Sequence, residues 1–169
     1  MRTLVRSLIL IGLAIWIGGL LFFAAVVAPV SFFTVMPMFS NPATGLHVAG
    51  TVVRVSLVRL HDIGMLVGII LLLLVIIERT ARLTRRSIGP QLVLLAAMLA
   101  LTGYSQYSLI PRMDALRIQA GPAFDTPGAS NPAKVEFNHL HTRSTSVAGV
   151  VLICGLALIV LYARPEPSV

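Results

Sequence analysis

Charged residues are scarce in this chain of 169 residues, of which 11% are charged and 57% are hydrophobic. Soluble domains carry about a quarter charged residues, so the composition excludes an ordinary soluble domain and indicates a membrane protein. Cysteine is almost absent as well. The single cysteine, Cys154, excludes an intrachain disulfide and a cluster of thiolate ligands, and its place in an apolar run suits a small packing residue.

Four apolar segments are long enough to cross a membrane, since a transmembrane helix needs about 20 apolar residues for a hydrocarbon core of about 30 Å. The predicted spans cover residues 8–35, 52–77, 91–110 and 136–162, with an outer connector at 111–135. They fill a single membrane domain, 1–169, and leave no room for a soluble catalytic domain. The predicted fold class is therefore all-α, a polytopic integral membrane four-helix bundle.

The distribution of arginine predicts the orientation of the bundle. Four spans place both termini on one side, together with the short second loop, whose arginines are Arg79, Arg82, Arg85 and Arg86. Short arginine-rich loops stay on the cytoplasmic side, so we predict that both termini are cytoplasmic. The net charge of +7 then reflects topology and contact with the lipid bilayer. No interleaving of aromatic and basic residues indicates nucleic-acid binding.

Small residues mark faces through which membrane helices can approach closely. The second span contains Gly64 and Gly68 in a GxxxG pattern, which is a packing signal. The first span has two such faces. One contains Gly12, Trp16 and Gly19, and the other Ala14, Gly18, Ala25 and Ala28.

Prolines and an asparagine predict where helices bend, begin and end. Pro29 is expected to kink the first helix and Pro37 to end it, because proline lacks a backbone donor. Asn131 followed by proline predicts the start of the fourth helix. Tyr107 lies near the outer end of the third span, where amphipathic rings are enriched in membrane proteins.

Histidines near the outer ends of two spans are the candidate functional residues. His139 and His141 lie about 200° apart around a continuous helix, so they cannot both bind one ion. His141 shares a helical stripe with Ser144 and is expected to face inward. His61 occupies the matching depth on the second span. His61 and His141 are thus the pair that could converge.

These histidines and the polar residues around them form an outer polar group, for which three interpretations stay open. It can be a hydrogen-bonded cluster that ties helix ends together, in which case the protein needs no cofactor. It can instead bind copper or haem, because imidazole and thioether groups suit copper and two imidazoles suit haem iron. The candidate ligands are then His61, His141, Met36 and Met38, in a protein for copper handling or electron transfer. Catalysis is the third interpretation, but no metalloprotease pattern, nucleophile–base set or phosphate loop is present to support it.

Three segments combine into a distinctive set of motifs: AIWIGGLLFFAAVVAPVSF (14–32), SLIPRMDALR (108–117) and EFNHLHTRSTSVAGVVLICGL (136–156). The matching positions are Trp16, Gly18, Gly19, Ala28, Pro29, Pro111, Arg112, Leu116, Arg117, Leu140, His141, Ser144 and Thr145. Together they resemble a bacterial family of uncharacterised four-helix membrane proteins that is similar to eukaryotic transmembrane protein 205. The resemblance implies the fold and a bacterial inner-membrane location, implies no activity, and favours His141 over His139.

The expected function is that of a non-enzymatic integral membrane protein, an accessory or assembly subunit. Its small-residue faces and charged outer segments suit contact with a membrane protein partner or with further copies of the chain. Arg112 and Arg117 are expected to pair with acidic residues across the outer mouth. A small-solute transporter is a weaker alternative, because no charge lies at mid-membrane depth. The residues expected to serve structure or interaction are Trp16, Gly18, Gly19, Pro29, Gly64, Gly68, Tyr107, Arg112, Arg117 and Ser144.

Overall fold

The computed structural model describes residues 1–81, 83, 88–121, 124 and 131–164. Its four long helices are α1 (Arg2–Met38), α2 (Pro42–Thr80), α3 (Gly89–Ala120) and α4 (Pro132–Ala163). Each is long and apolar enough to cross a membrane. The all-α four-helix membrane fold predicted from the sequence is confirmed. The predicted cytoplasmic arginines Arg82, Arg85 and Arg86 lie outside the described residues.

The helices form a ring in which each packs on two neighbours: α1 and α3 both contact α2 and α4. Neighbouring helices run antiparallel, since Gly12 of α1 lies against Leu71 of α2 whereas Gly19 lies against Leu60. The chain therefore runs up and down the bundle. We call the end that carries Met1 and Arg164 the inner end, and the opposite end the outer end.

Two apolar clusters fill the interior. The larger one includes Trp16, Leu71 and Met98, each at most 1% exposed, and it reaches the inner end. The smaller one lies toward the outer end and contains Leu109, Ile110, Met113 and Leu140. Four buried polar side chains come from the parts of the helices that lie between these clusters along the sequence. They are His61 on α2, Thr102 and Ser105 on α3, and Ser144 on α4.

Prolines inside two of the helices are each preceded by a wide π-turn. A proline offers no N–H to the carbonyl four residues earlier, and its ring crowds that carbonyl. A local switch to bonds five residues apart relieves the conflict, as in the bond from the N–H of Ile110 to the carbonyl of Ser105. Helix α1 therefore continues through Pro29 and ends at Met38. The turns are Phe23–Val27 before Pro29, Ser31–Val35 before Pro37, and Ser105–Leu109 before Pro111.

Asparagine side chains cap the start of α2 and of α4. Asn41 Oδ1 accepts a hydrogen bond from the backbone N–H of Ala43 at 2.9 Å, and Asn131 Oδ1 accepts one from Ala133 at 3.0 Å. The cap at Asn131 agrees with the sequence. Helix α2 begins at Pro42, well before the predicted span at residue 52, and α3 continues through the first part of the predicted connector. Among the described residues of the outer end, α2 and α3 are thus longer than the sequence predicts.

Candidate functional site

Trp16 of α1 lies in a groove made by two glycines of α2. A Cβ built on Gly64 would lie 2.5 Å from Trp16 Nε1, and one built on Gly68 would lie 2.7 Å from its Cζ3. Side chains at these positions would therefore collide with the indole, which is 1% exposed. Gly19 makes similar room for Leu60, with 2.8 Å to Cδ1. The structure thus brings one of the two small-residue faces predicted on α1, that of Gly12, Trp16 and Gly19, into an interface with α2.

His61 begins a chain of polar contacts between α2 and α3. It is 5% exposed, and its Nδ1 lies 3.2 Å from Gln106 Oε1. Gln106 Nε2 donates to Asp62 Oδ1 at 3.0 Å, and Asp62 lies 3.9 Å from Arg59. Because a carboxylate only accepts, Gln106 turns its N–H groups to Asp62 and its oxygen to His61. His61 therefore donates from Nδ1, and in the neutral ring Nε2 carries the lone pair.

His141 is exposed on α4, and its ring is stacked on Phe137 with 6.2 Å between centroids. The prediction that it faces inward is wrong: Leu140 and Ser144, at 5% and 7% exposure, face the core instead. Polar residues occupy every side of this part of α4, so the sequence pattern does not specify the rotation of the helix. His139 is exposed as well.

The four candidate metal ligands have separate surroundings. His61 is buried between α2 and α3, whereas the ring of His141 rests on its own helix. The backbone carbonyl of Met36 lies against Gly45 at the start of α2, and Met38 is 73% exposed. Across the described ranges, no group of three or more histidine, cysteine, aspartate or glutamate side chains is arranged to hold a metal ion.

Ion pairs connect three helices near the outer end. Arg54 Nη1 of α2 lies 2.9 Å from Asp114 Oδ2 of α3, and Arg112 Nη2 of α3 lies 2.6 Å from Glu136 Oε1 of α4. The expected pairing of Arg112 with an acidic residue across the outer mouth is confirmed. Each pair is partly exposed and contributes about 0–1 kcal/mol to stability, so together they orient the helices more than they stabilise them.

Arg117 does not pair with an acidic residue among the described residues, contrary to expectation, and lies on aromatic rings instead. Its Cζ is 5.4 Å from the centroid of Phe124 and 5.1 Å from that of Phe137. The two rings meet edge to face at 5.2 Å. A Cβ on Gly50 would lie 2.6 Å from Arg117 Nη2, so the guanidinium packs directly on the backbone of α2 at that place. The sequence analysis missed this cluster, because its members are distant in the chain.

The inner end contains a buried acid that the sequence analysis also missed. Glu78 is 5% exposed, and the Tyr162 hydroxyl donates to its Oε2 at 3.1 Å. Arg6 Nη2 donates to the backbone oxygens of Tyr162 and of Arg164. Three helices are joined there. The sequence feature that could have predicted this buried acid is the presence of an acidic residue at the inner end of an apolar run.

One side of α1 is apolar and exposed along most of its length. Phe22, Val26, Val30 and Phe33 are 59%, 40%, 47% and 82% exposed. Gly18 lies in the middle of the same side, and a Cβ added to it would have no atom within 4 Å. We call this surface the exposed face of α1, and its members are Ile11, Ile15, Gly18, Phe22, Val26, Val30 and Phe33.

The outer part of this face lies above the level where α2 carries charges. Leu60 of α2 lies against Gly19 of α1, and Gly45 lies against Met36. Arg54 and Arg59 are therefore beside α1 residues that come before Met36. The 37 residues of α1 extend over about 55 Å, whereas the hydrocarbon core is about 30 Å thick. Tyr107 on α3 is 73% exposed near the same belt of charges, and Pro29 is partly buried.

The sequence matches the family model described as a domain of unknown function (DUF4149) over residues 11–122. No curated protein and no solved structure matches the chain. The matched segment contains the contacts of Trp16 with Gly64, of His61 with Gln106, and of Arg54 with Asp114. The family model covers more than half of the chain, and the protein therefore belongs to the DUF4149 family.

Proposed function

We propose that the protein is a non-enzymatic accessory or assembly subunit, which binds another membrane protein through the exposed face of α1. Its location is a bacterial inner membrane, with the inner end of the bundle in the cytoplasm. This orientation follows from the arginines near the termini and in the second loop. We also propose that the protein is related to eukaryotic transmembrane protein 205, because its motifs resemble a bacterial family that is similar to that protein.

The observation that carries the proposal is the outer part of the exposed face of α1. Val30 and Phe33 are large, apolar and 47% and 82% exposed, at a level beyond the charged belt of α2. Lipid tails cover apolar side chains only within the hydrocarbon core. An apolar patch outside the core is typical of a surface that another protein covers. Burying a phenylalanine of this kind contributes about 1.5–3 kcal/mol.

The inner part of the same face suits a helix as the partner element. Gly18 is exposed, and its backbone is open to contact because no atom lies within 4 Å of its Cβ position. Small residues of this kind let two helix backbones approach closely in lipid. Ile11, Ile15 and Phe22 border Gly18 and supply apolar contact area. A transmembrane helix that continues into the outer compartment would cover the whole face.

The rest of the bundle supports a role as a scaffold. Polar contacts join α2 to α3 at His61 and Gln106, and join α2 to α4 at Glu78 and Tyr162. These contacts are made inside the bundle and restrain the relative positions of the helices. A restrained bundle presents the exposed face of α1 with little loss of conformational entropy on binding.

A pair of matched variants tests the proposal. Phe33 and Ile118 are both 82% exposed near the outer end, but only Phe33 belongs to the exposed face of α1. Each is replaced by serine, and the protein is extracted from its native membranes in mild detergent. On native gels, Phe33→Ser should release the free chain from a larger complex, whereas Ile118→Ser should migrate like the unmodified protein. Equal migration of both variants would contradict the proposal.

One observation favours the alternative of a metal- or haem-binding membrane protein. Imidazoles that bind metals commonly donate their other ring N–H to a carbonyl or carboxylate oxygen. His61 donates to Gln106 Oε1 in this manner, and Gln106 is bonded in turn to Asp62. The lone pair on Nε2 would then be the ligand. Metal or haem binding is therefore the second candidate function, and an absorbance spectrum together with elemental analysis tests it.

A further inference from the structure

Small residues run along the exposed side of α1. Ala14, Gly18 and Ala25 are all exposed, and a Cβ added to Gly18 would have no atom within 4 Å. They belong to the second small-residue face predicted on this helix, whereas the first, around Trp16, is packed by α2. Small residues let two helix backbones approach closely in lipid. Helix α1 therefore has two surfaces suited to helix packing, one filled by α2 and one open.

The spacing on this open side suits a parallel pair of helices. Ile11, Gly18 and Ala25 recur at intervals of seven residues, and Ile15 and Phe22 are separated by the same interval. A seven-residue repeat keeps two helices in contact along a left-handed supercoil. Large residues alternate with small ones along this repeat, so the large side chains of one helix can occupy the gaps beside the small residues of the other.

The height of the exposed face of α1 restricts what can cover it. Ile15 lies beside the apolar part of α2, whereas Val30 and Phe33 lie beyond the charged belt of that helix. A partner must therefore offer apolar side chains both within the hydrocarbon core and outside it. Helix α1 is itself such an element, since its 37 residues extend over about 55 Å. Two copies in one membrane have the same orientation, so parallel α1 helices place each level of the face against the same level of the other copy.

Charge also favours a second copy as the partner. A twofold contact places the same patch of both copies face to face, so a charge near its axis meets a like charge. Helix α1 has no charged residue after Arg6. The other helices have exposed charges, with Arg59 of α2 and Arg112 of α3 at 80% and 65% side-chain exposure and Arg143 of α4 also exposed. Two copies therefore meet without repulsion along α1.

We infer that the partner of the exposed face of α1 is a second copy of this chain, in a parallel dimer whose twofold axis is normal to the membrane. The inference rests on the proposed function, because it names the partner for the same face. Gly18 lies where the two α1 helices approach most closely. Ile15 and Phe22 border this closest approach, and the two Phe33 side chains cover each other outside the hydrocarbon core.

Co-purification of two differently tagged copies, expressed together and extracted in mild detergent, tests the inference. Gly18→Leu in both copies leaves the single chain undisturbed, because no atom lies within 4 Å of that Cβ position, but it separates the two backbones of the dimer. It should lower recovery of the second tag by about tenfold or more. Gly149→Leu, at an equally open position of α4, is the matched control and should recover the second tag like the unmodified chain.

Disulfide formation in native membranes provides a second measurement that does not depend on detergent. Cys154 is replaced by serine, and a single cysteine replaces Phe33 or Ile118, both 82% exposed near the outer end. After oxidation, Phe33→Cys should give a covalent dimer, because the twofold contact brings the two copies of this position together. Ile118→Cys lies outside the exposed face of α1 and should stay monomeric.

The outcomes separate this inference from the proposed function. A different membrane protein that is retained in a fixed ratio to the chain, and is lost in Gly18→Leu, would overturn the second copy as partner but leave the proposed function in place. Retention of neither a copy nor another protein, with no disulfide from Phe33→Cys, would contradict both. Equal recovery of the second tag in Gly18→Leu and Gly149→Leu would overturn the inference, because the copies would then meet through another surface.

Discussion

Trp16 and Gly64 are in direct contact across the interface between α1 and α2, where a Cβ on Gly64 would lie 2.5 Å from the indole Nε1. The indole is rigid and 1% exposed, so it cannot move aside without disturbing the inner apolar cluster. The contact fixes how closely the two helices approach. It thereby determines which side of α1 is left for lipid or for a partner.

Replacement of Gly64 by alanine should destabilise the bundle by about 1–3 kcal/mol, because the added methyl group overpacks a filled interior. Gly149→Ala is the matched control, since no atom lies within 4 Å of a Cβ at that position of α4. The control should be neutral or stabilising by up to about 1 kcal/mol, as alanine is the better helix former. Unfolding in mixed micelles measures both variants. Equal stability of the two variants would contradict the packing argument.

Replacement of Tyr162 by phenylalanine should lower the free energy of unfolding by about 1.5–3 kcal/mol, the range for a hydrogen bond to a charged group. The hydroxyl donates to Glu78, which is 5% exposed and would keep one acceptor unsatisfied. Tyr104, at 46% exposure, supplies the control variant Tyr104→Phe, for which little change is expected. A Tyr162→Phe protein as stable as the control would show that the buried pair is not a stabilising tie.

The two candidate histidines should respond differently to alanine. His61→Ala removes a buried partner of Gln106 and should cost about 1–3 kcal/mol, whereas His141→Ala, at an exposed position, should change stability by less than about 0.5 kcal/mol. The same unfolding assay compares them. A larger loss for His141→Ala would mean that the stacked ring on Phe137 has a structural role that its exposure does not indicate.

An absorbance spectrum and elemental analysis of the protein purified in mild detergent separate the two candidate functions. A scaffold subunit should be colourless and should hold less than one equivalent of copper, iron or zinc per chain. A Soret band, or a stoichiometric metal that His61→Ala abolishes, would favour the metal- or haem-binding alternative. Purification without chelators controls for loss of a weakly held ion.

Cysteine labelling tests the predicted orientation. Cys154 is replaced by serine, and a single cysteine is placed at Thr3 near the inner end or at Asn138 near the outer end, both exposed. With both termini cytoplasmic, a membrane-impermeant maleimide should label Asn138→Cys in cells with an intact inner membrane. Thr3→Cys should react only after that membrane is permeabilised. The reverse pattern would invert the topology.

Hydropathy is sufficient to predict the four helices, because a run of about 20 apolar residues can be recognised in the sequence without knowledge of any tertiary contact. The cap at Asn131 can also be predicted from the sequence, because its partner Ala133 is only two residues away. Proline positions predict where a helix is disturbed but not that a wide turn absorbs the disturbance. Helix α1 therefore continues past Pro29 to Met38.

The candidate site is less predictable, because it depends on helix rotation and on contacts between distant residues. A helical wheel places His141 in the interior, but it is applied to a stretch where every side is polar. Arg117 is expected to find an acid and instead lies on Phe137, a residue of another helix. The bond between Tyr162 and Glu78 joins residues 84 positions apart. No local pattern of sequence specifies such pairs.

Photocrosslinking in native membranes tests the central claim that the exposed face of α1 binds another membrane protein. A photoreactive amino acid is placed at Phe33 or, as the matched control, at Ile118, both 82% exposed. We predict a discrete adduct from position 33 and none from position 118, with mass spectrometry identifying the attached membrane protein. An adduct of twice the mass of the chain would identify that protein as a second copy. No adduct from position 33, or the same adducts from both positions, would contradict the account.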